Sequence, residues 1–259
     1  MIFTQLIQAN LQTNKLGKEI EYYARLESTN AAAMALVEAG EGEEGTVVVT
    51  DRQTAGKGRR GREWYSAPGR GLAFSVILEP EIAASDSGLL SLSAGLAAVE
   101  ALERFDLQPR LKWPNDIFLS GKKCGGVLVE SKIQSDTMTH AVVGTGVNVN
   151  EITEDFPDDL KPDVTSVAIE KGSPVQRELM LAWMLNSLER LYGQLREGGT
   201  QPVINDWLER CAHVGSIITF LQGEKEESGT FAGLTPWGGA VIETEKGEQH
   251  LSGEDISVL

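Results

Sequence analysis

Thiols and imidazoles are scarce in this chain. Two cysteines, Cys124 and Cys211, and three histidines, His140, His213 and His250, are spread over 259 residues. They form no set at metal-ligand spacing, so neither a disulfide scaffold nor a zinc site is expected. Positive charge is also in deficit, with 23 Lys and Arg against 38 Asp and Glu and a net charge of -15. A chain so acidic repels a phosphate backbone overall, which disfavours general nucleic-acid binding and predicts no DNA partner. No run of about 18 apolar residues occurs, so no membrane span is expected. The segment from Met1 to Gly17 is polar and lacks the apolar stretch of a secretory signal, which points to the cytoplasm. What remains is a 41% hydrophobic chain, long enough for a substantial core in one large domain, or in a medium one with a small appendage.

Strand and helix patterns alternate along it. Ile20 to Leu26 and Thr46 to Thr50 read as strands, and Ser28 and Thr29 offer N-caps to a helix running to about Val37, with Gly40 as its stop. Asp51 to Gly71 is rich in glycine and arginine, has no period and reads as a long loop. Leu72 to Leu78 is a strand, and Leu89, Leu92, Leu96, Val99 and Leu102 mark the buried face of a helix over Gly88 to Phe105. Strands are predicted at Arg110 to Trp113, Ile117 to Leu119, Gly125 to Lys132 and His140 to Asn148. A polar surface excursion is predicted over Glu151 to Pro174, followed by helices near Arg177 to Leu195 and Gln201 to Cys211. After His213, short β runs separated by glycine-rich turns suggest a small β-barrel. This divides the chain into residues 1–213 and 214–259.

Three segments concentrate chemistry. In Gln53-Thr54-Ala55-Gly56-Lys57-Gly58-Arg59-Arg60-Gly61-Arg62-Glu63-Trp64 the glycines free backbone N–H groups to face an anion, and the arginines match phosphate or carboxylate oxygens. A solvated basic loop, a nucleic-acid patch and a pocket for a phosphate-bearing small molecule all fit this composition, and the acidic remainder of the chain favours the last. The Gly-Lys-Ser/Thr ending of a Walker A loop is missing. Lys112-Trp113-Pro114-Asn115-Asp116 places polar groups beyond a strand, suited to hydroxyls or hydrated magnesium, or to an Asx turn. Lys122-Lys123-Cys124-Gly125-Gly126 and Gly144-Thr145-Gly146-Val147-Asn148 put glycine into strands, where it permits close approach of a ligand or makes a bulge.

Taken in order, Ser28-Thr29-Asn30, the Gln53 to Trp64 loop, Lys112 to Asp116, Lys123 to Glu130 and Gly144 to Asn148 resemble the biotin protein ligase family. The resemblance covers about residues 20 to 259. It implies an α+β fold, with a mixed sheet and helices like the class II aminoacyl-tRNA synthetases, followed by a small SH3-like β-barrel. It implies an ATP-dependent ligase that forms biotinyl-5′-AMP with Mg2+ and transfers biotin to a lysine of a biotin carboxyl carrier protein. A lipoate ligase and a noncatalytic biotin-binding sensor are the alternatives. A homodimer is implied as well. Only the residues up to about Glu19 precede the matching region, so the form without a DNA-binding helix-turn-helix domain is expected.

Carried over by position, Ser28, Thr29, Asn30, Gln53, Gly56, Lys57, Gly58, Arg59, Lys123 and Gly144 are implied to meet biotin. Arg59, Arg60, Arg62, Trp64, Lys112, Asn115 and Asn148 are implied on the ATP side, with Asp116 as the magnesium contact. Lys123 and Arg59 are implied as catalytic, joining two anions by neutralising their charge. The basic loop is implied to act as a lid over a labile adenylate. Lys57 departs from the family, whose loop more often has arginine there, so the charge is kept and the bidentate fork is lost. No general base for the transfer step is evident.

Overall fold

In a computed structural model, residues 1–222 and 225–253 and the backbone of 256–258 are described. Residues 223–224, 254–255 and 259 of the expected small β unit lie outside them. The chain begins with a short helix that sequence reading had missed, α1 (Thr4–Ala9), whose Ile7 is buried together with Ile2 and Leu16. Then come β1 (Ile20–Tyr23), α2 (Thr29–Ala39), β2 (Val47–Thr50), β3 (Leu72–Leu78), the two-residue β4 (Ile82–Ala83) and α3 (Ser87–Glu103). The strands β5 (Arg110–Lys112), β6 (Asp116–Leu119), β7 (Lys122–Gln134) and β8 (Thr137–Val147) follow without an intervening helix. Three helices, α4 (Val167–Lys171), α5 (Arg177–Arg196) and α6 (Thr200–Glu209), precede β9 (Ile217–Gln222), β10 (Lys225–Leu234), β11 (Ala240–Thr244), β12 (Gly247–Leu251) and β13 (Ile256–Val258).

The first eight strands form one mixed sheet in the order β1-β2-β3-β8-β7-β6-β5, with β4 beside β8. Only β1 and β2 run parallel; every other pairing in it is antiparallel. Its centre is apolar on both faces because helices cover both. Val47, Val49, Val76, Leu78 and Val143 join the large core with α3 and α5, whereas Val48, Ile77 and Val142 pack under Ala33 and Val37 of α2. Helix α2 starts where it does because Ser28 Oγ accepts from Ala31 N, and it stops at Gly40, which takes the left-handed conformation at φ 70°.

The last five strands form a separate antiparallel sheet in the order β12-β11-β10-β9-β13. It joins the rest through Trp113, which is buried, packs on Phe231 at 6.3 Å between centroids and donates from Nε1 to Gly238 O at 3.2 Å. The connection from α6 lies along β5: Leu111 N donates to Arg210 O, and Ala212 N donates to Leu111 O.

The face of the large sheet that carries α2 changes character along its strands. Register pairs Ile77 with Val142, then Ser75 with Gly144, then Ala73 with Gly146. On the other side of β8, Leu128 lies opposite Gly144 and Gly126 opposite Gly146. The same face is thus bulky beneath α2 and nearly bare beyond its N-terminus, and the bare part becomes the floor of a cleft.

Candidate functional site

The cleft has a volume of about 300 Å³. Fifteen of the seventeen sequence-predicted site residues line it: Ser28, Thr29, Asn30, Gln53, Lys57, Gly58, Arg59, Arg62, Trp64, Lys112, Asn115, Asp116, Lys123, Gly144 and Asn148. Gly56 and Arg60 do not. Gly56 is buried behind the loop, where its carbonyl accepts from Trp64 N and a Cβ would stand 2.6 Å from Trp64 O. Arg60, at φ 57°, turns the loop and faces an adjoining cavity of about 280 Å³ between the large sheet and the small one.

At α2 the cleft holds a hydrogen-bonding set of hydroxyl and amide groups, backed by one carboxylate. Asn30 Nδ2 donates to Glu130 Oε2 at 2.7 Å and to Leu128 O at 3.2 Å, and Asn30 Oδ1 accepts from Ser75 Oγ at 2.6 Å. Ser75 Oγ lies 2.8 Å from Thr29 Oγ1, and Gln53 Oε1 accepts from Thr29 N at 2.8 Å. All of Asn30's polar atoms are engaged, so its rotamer is set by partners from β3 and β7. Ser75 and Glu130 were missed in the sequence reading. Ser75 could have been found from β3 alternation, since it is a serine on the face that otherwise carries Ala73 and Ile77.

Over the glycine floor, Lys123 Nζ donates to Asp116 Oδ1 at 2.5 Å. Lys123 Cε stands 3.6 Å from where a Cβ of Gly126 would be. Gly126 is two residues from Leu128, so roughly 7 Å of strand separates the level of Lys123 from that of Asn30. Asp116 and Lys112 pair at the β5–β6 turn. Between them, Asn115 donates from Nδ2 to Val127 O at 2.7 Å and accepts from Arg59 Nη1 at 3.3 Å. Arg59 also donates to Gly253 O. Cys124, next to Lys123, is no nucleophile: it is buried against Asn148 O at 3.4 Å, and burial pushes its thiol up, out of thiolate range.

The segment from Asp51 to Gly71 is a loop, as expected, and folds a small hairpin within it. Lys57 pairs with Glu63, and Gly58 N donates to Arg62 O at 2.7 Å. It ends with the Trp64 indole lying on Gly146, where a Cβ would come 2.6 Å from Cε2. The expected surface excursion over Glu151 to Pro174 needs correction. It folds back onto β7, with Lys123 N donating to Asp163 O and Thr165 N to Lys123 O, and it supplies Phe156, Leu160, Asp163 and Val164 to the cleft wall. Its short apolar positions carry no period, so only the tertiary contacts reveal that role.

A model of the Biotin/lipoate A/B protein ligase family matches residues 22–148. The chain is 33% identical over 239 residues to the biotin–[acetyl-CoA-carboxylase] ligase of Paracoccus denitrificans, covering 90% of this chain and 98% of that one. It belongs to the biotin protein ligase family. It is also 32% identical to the bifunctional ligase/repressor BirA of Bacillus subtilis, over 97% of this chain and 78% of that protein. The biotin protein ligase of Aquifex aeolicus, in complex with biotin and ATP, superposes with a TM-score of 0.80 at 31% identity, over 93% of this chain and 99% of that one. The mixed sheet followed by a small antiparallel β unit is therefore the architecture of biotin protein ligases. Among the described residues, no helix is long and apolar enough to cross a membrane.

Proposed function

We propose that this chain is the ATP-dependent ligase that activates biotin as biotinyl-5′-AMP and passes it to a lysine of a biotin carboxyl carrier protein. The observation that carries the reading is one cleft in which the uncharged lining side chains Ser28, Thr29, Asn30 and Gln53 and a cationic set around Lys123 share one glycine floor. A ureido ring, itself uncharged, suits the first, an array of hydroxyl and amide donors and acceptors. Bringing a carboxylate and a phosphate together needs the second, because their repulsion must be offset where water is excluded.

In this reading Ser28, Thr29, Asn30, Gln53 and Gly144 hold the biotin ring, under Lys57, Gly58 and Arg59 of the hairpin. Trp64, Arg62, Lys112, Asn115 and Asn148 take the nucleotide. A carboxylate oxygen of biotin attacks the α-phosphorus, the bond to pyrophosphate breaks, and Lys123 and Arg59 offset the charge. The carrier amine then attacks the acyl carbon, losing a proton as AMP leaves. Among the described residues no cluster of three metal-ligating side chains occurs. The Asp116 carboxylate, one oxygen of which is paired with Lys123, would hold Mg2+, an ion bound through one or two carboxylates and substrate phosphates. Bound there, it would offset phosphate charge.

The catalytic unit is taken as residues 1–213 and the small β unit as 214–259, on the change in strand pattern. The cytoplasm suits an enzyme that uses ATP and carries two unpaired cysteines. The homodimer rests on family likeness, and sedimentation at a single 28.0 kDa mass would remove it. The test of function is pyrophosphate release from ATP with biotin, with lipoate as control, followed by the mass gain of a carrier domain. Release with biotin alone and transfer to the carrier support the reading. Release with lipoate, or none, overturns it.

A further inference from the structure

Arg177 is the first residue of α5, buried and outside the cleft lining, yet it grips both ends of the basic loop. Its Nη2 donates to Asp51 Oδ1 at 2.9 Å and its Nη1 to Gly71 O at 2.9 Å. The β2–β3 ladder ends at the pair Thr50 and Ala73. Asp51 and Gly71 are therefore at the point where the ladder gives way to loop and fraying would begin. One planar guanidinium spans that mouth with two directed bonds. Tyr22 Oη donates to the other oxygen of Asp51 at 2.6 Å, which fixes the carboxylate in turn.

The same cluster reaches the second wall of the cleft. A Cβ on Gly71 would fall 2.6 Å from Glu151 Oε1, so the loop end and Glu151 are in direct contact. Glu151 begins the segment that carries Phe156, Leu160, Asp163 and Val164. Above this root the two walls meet again: Tyr65 Oη donates to Asp155 O at 2.7 Å, and Arg70 Nε lies 3.6 Å from Asp155 Oδ2.

We infer that Arg177 is a positioning residue for the ligase reaction: it clasps the roots of the 51–71 loop, and through the contacts with 151–155 it makes the two walls of the cleft open and close as one unit. The inference rests on the ligase reading for its kinetic consequences, and on geometry alone for the clasp. Arginine is required because lysine, a point charge, cannot span a carboxylate and a carbonyl with fixed geometry.

The test uses the full chain with Arg177→Lys, Arg177→Met and Tyr65→Phe, each held well below its own Tm. Trypsin reports on the loop directly, since Arg52, Lys57, Arg59, Arg60 and Arg62 are cleavage sites within it. We expect cleavage there, without substrate, to rise about tenfold in Arg177→Met and less in Arg177→Lys, because proteolysis follows the population of the open form. KM for biotin should rise about tenfold while kcat for pyrophosphate release stays within about twofold, and more adenylate should escape before transfer. Cleavage and KM equal to the parent's, with only Tm lowered, would overturn the clasp. If Arg177→Met does not fold, Tyr65→Phe at its partly exposed site must still speed cleavage; parent-like cleavage there overturns the coupling of the walls. A parent inactive with biotin and ATP whose variants still show the tryptic pattern would strike the ligase reading and support the clasp.

Discussion

Asn30 occupies the space that a side chain at position 144 would need: a Cβ built on Gly144 falls 2.0 Å from Asn30 Oδ1. The absence of a side chain on β8 is thus what lets the capped end of α2 reach the sheet. Asn30 cannot retreat cheaply, because Leu128, Glu130 and Ser75 hold its amide. Gly144→Ala should therefore displace Asn30 and weaken biotin binding by at least about tenfold, the cost of one or more disrupted buried hydrogen bonds. Calorimetric titration with biotin checks this; parent-like affinity would remove Asn30 from the biotin site.

Two residues along β8, Gly146 stands in the same relation to Trp64. Trp64→Ala removes an aromatic platform worth on the order of 1 kcal/mol or more. We expect KM for ATP to rise about tenfold, and Gly146→Ala to have a similar effect by pushing the indole off the floor. Steady-state pyrophosphate release at varied ATP decides it. An effect on biotin KM alone would move Trp64 to the other substrate.

The Lys123–Asp116 pair yields a sharper separation. Lys123→Ala should lower kcat for adenylate formation by about a hundredfold or more, with the fold intact, as the loss of one preorganised charge does in comparable sites. Arg59→Ala should spare more of this first step and instead leak adenylate, seen as pyrophosphate released in excess of carrier biotinylated. Equal retention in Arg59→Ala and the parent would contradict the lid role of the hairpin.

Glu151 makes stability depend on pH. Burial pushes its carboxyl from 4.5 up to about 7, and Oε2 has no hydrogen-bond partner among the described residues. Between these values the folded state holds the proton more often than the unfolded state. Stability therefore falls as pH rises through that window, by up to about 3 kcal/mol, and levels off above it. Glu151→Gln keeps the shape without the charge. Thermal melts from about pH 5 to about pH 8 should show this loss in the parent and not in the variant; parallel slopes would refute it.

His213 runs the other way. Burial, aided by the charge of Lys112, lowers it from 6.5 to about 4. The unfolded state then holds the proton more often between those values, so His213 costs stability as pH falls from about 6.5 towards about 4. His213→Gln should flatten the acid side of the melting profile, and an unchanged acid limb would show that carboxylate protonation dominates there.

Local signals in the sequence were enough for much of this protein. Ser28 and Gly40 bracket α2 through backbone chemistry that needs no distant partner, and the leucine period of α3 and the run Leu72–Leu78 declare their burial directly. The order of the short motifs also marked the cleft, because the glycines, the basic hairpin and the Lys-Trp-Pro-Asn-Asp turn are each adapted to a ligand rather than to packing. The partners those residues meet were left to the tertiary structure. Ser75 faces Asn30 only because β3 pairs with β8 in one register, and a slip of a single residue would turn it to the other face. Phe156, Leu160 and Val164 become a cleft wall only because the 151–166 segment docks along β7, and Arg177 becomes a clasp only because α5 begins where the two loop ends meet. Such contacts join residues tens to more than a hundred positions apart, and no local propensity encodes them; they are decided by which faces the packed sheet and helices leave to be filled.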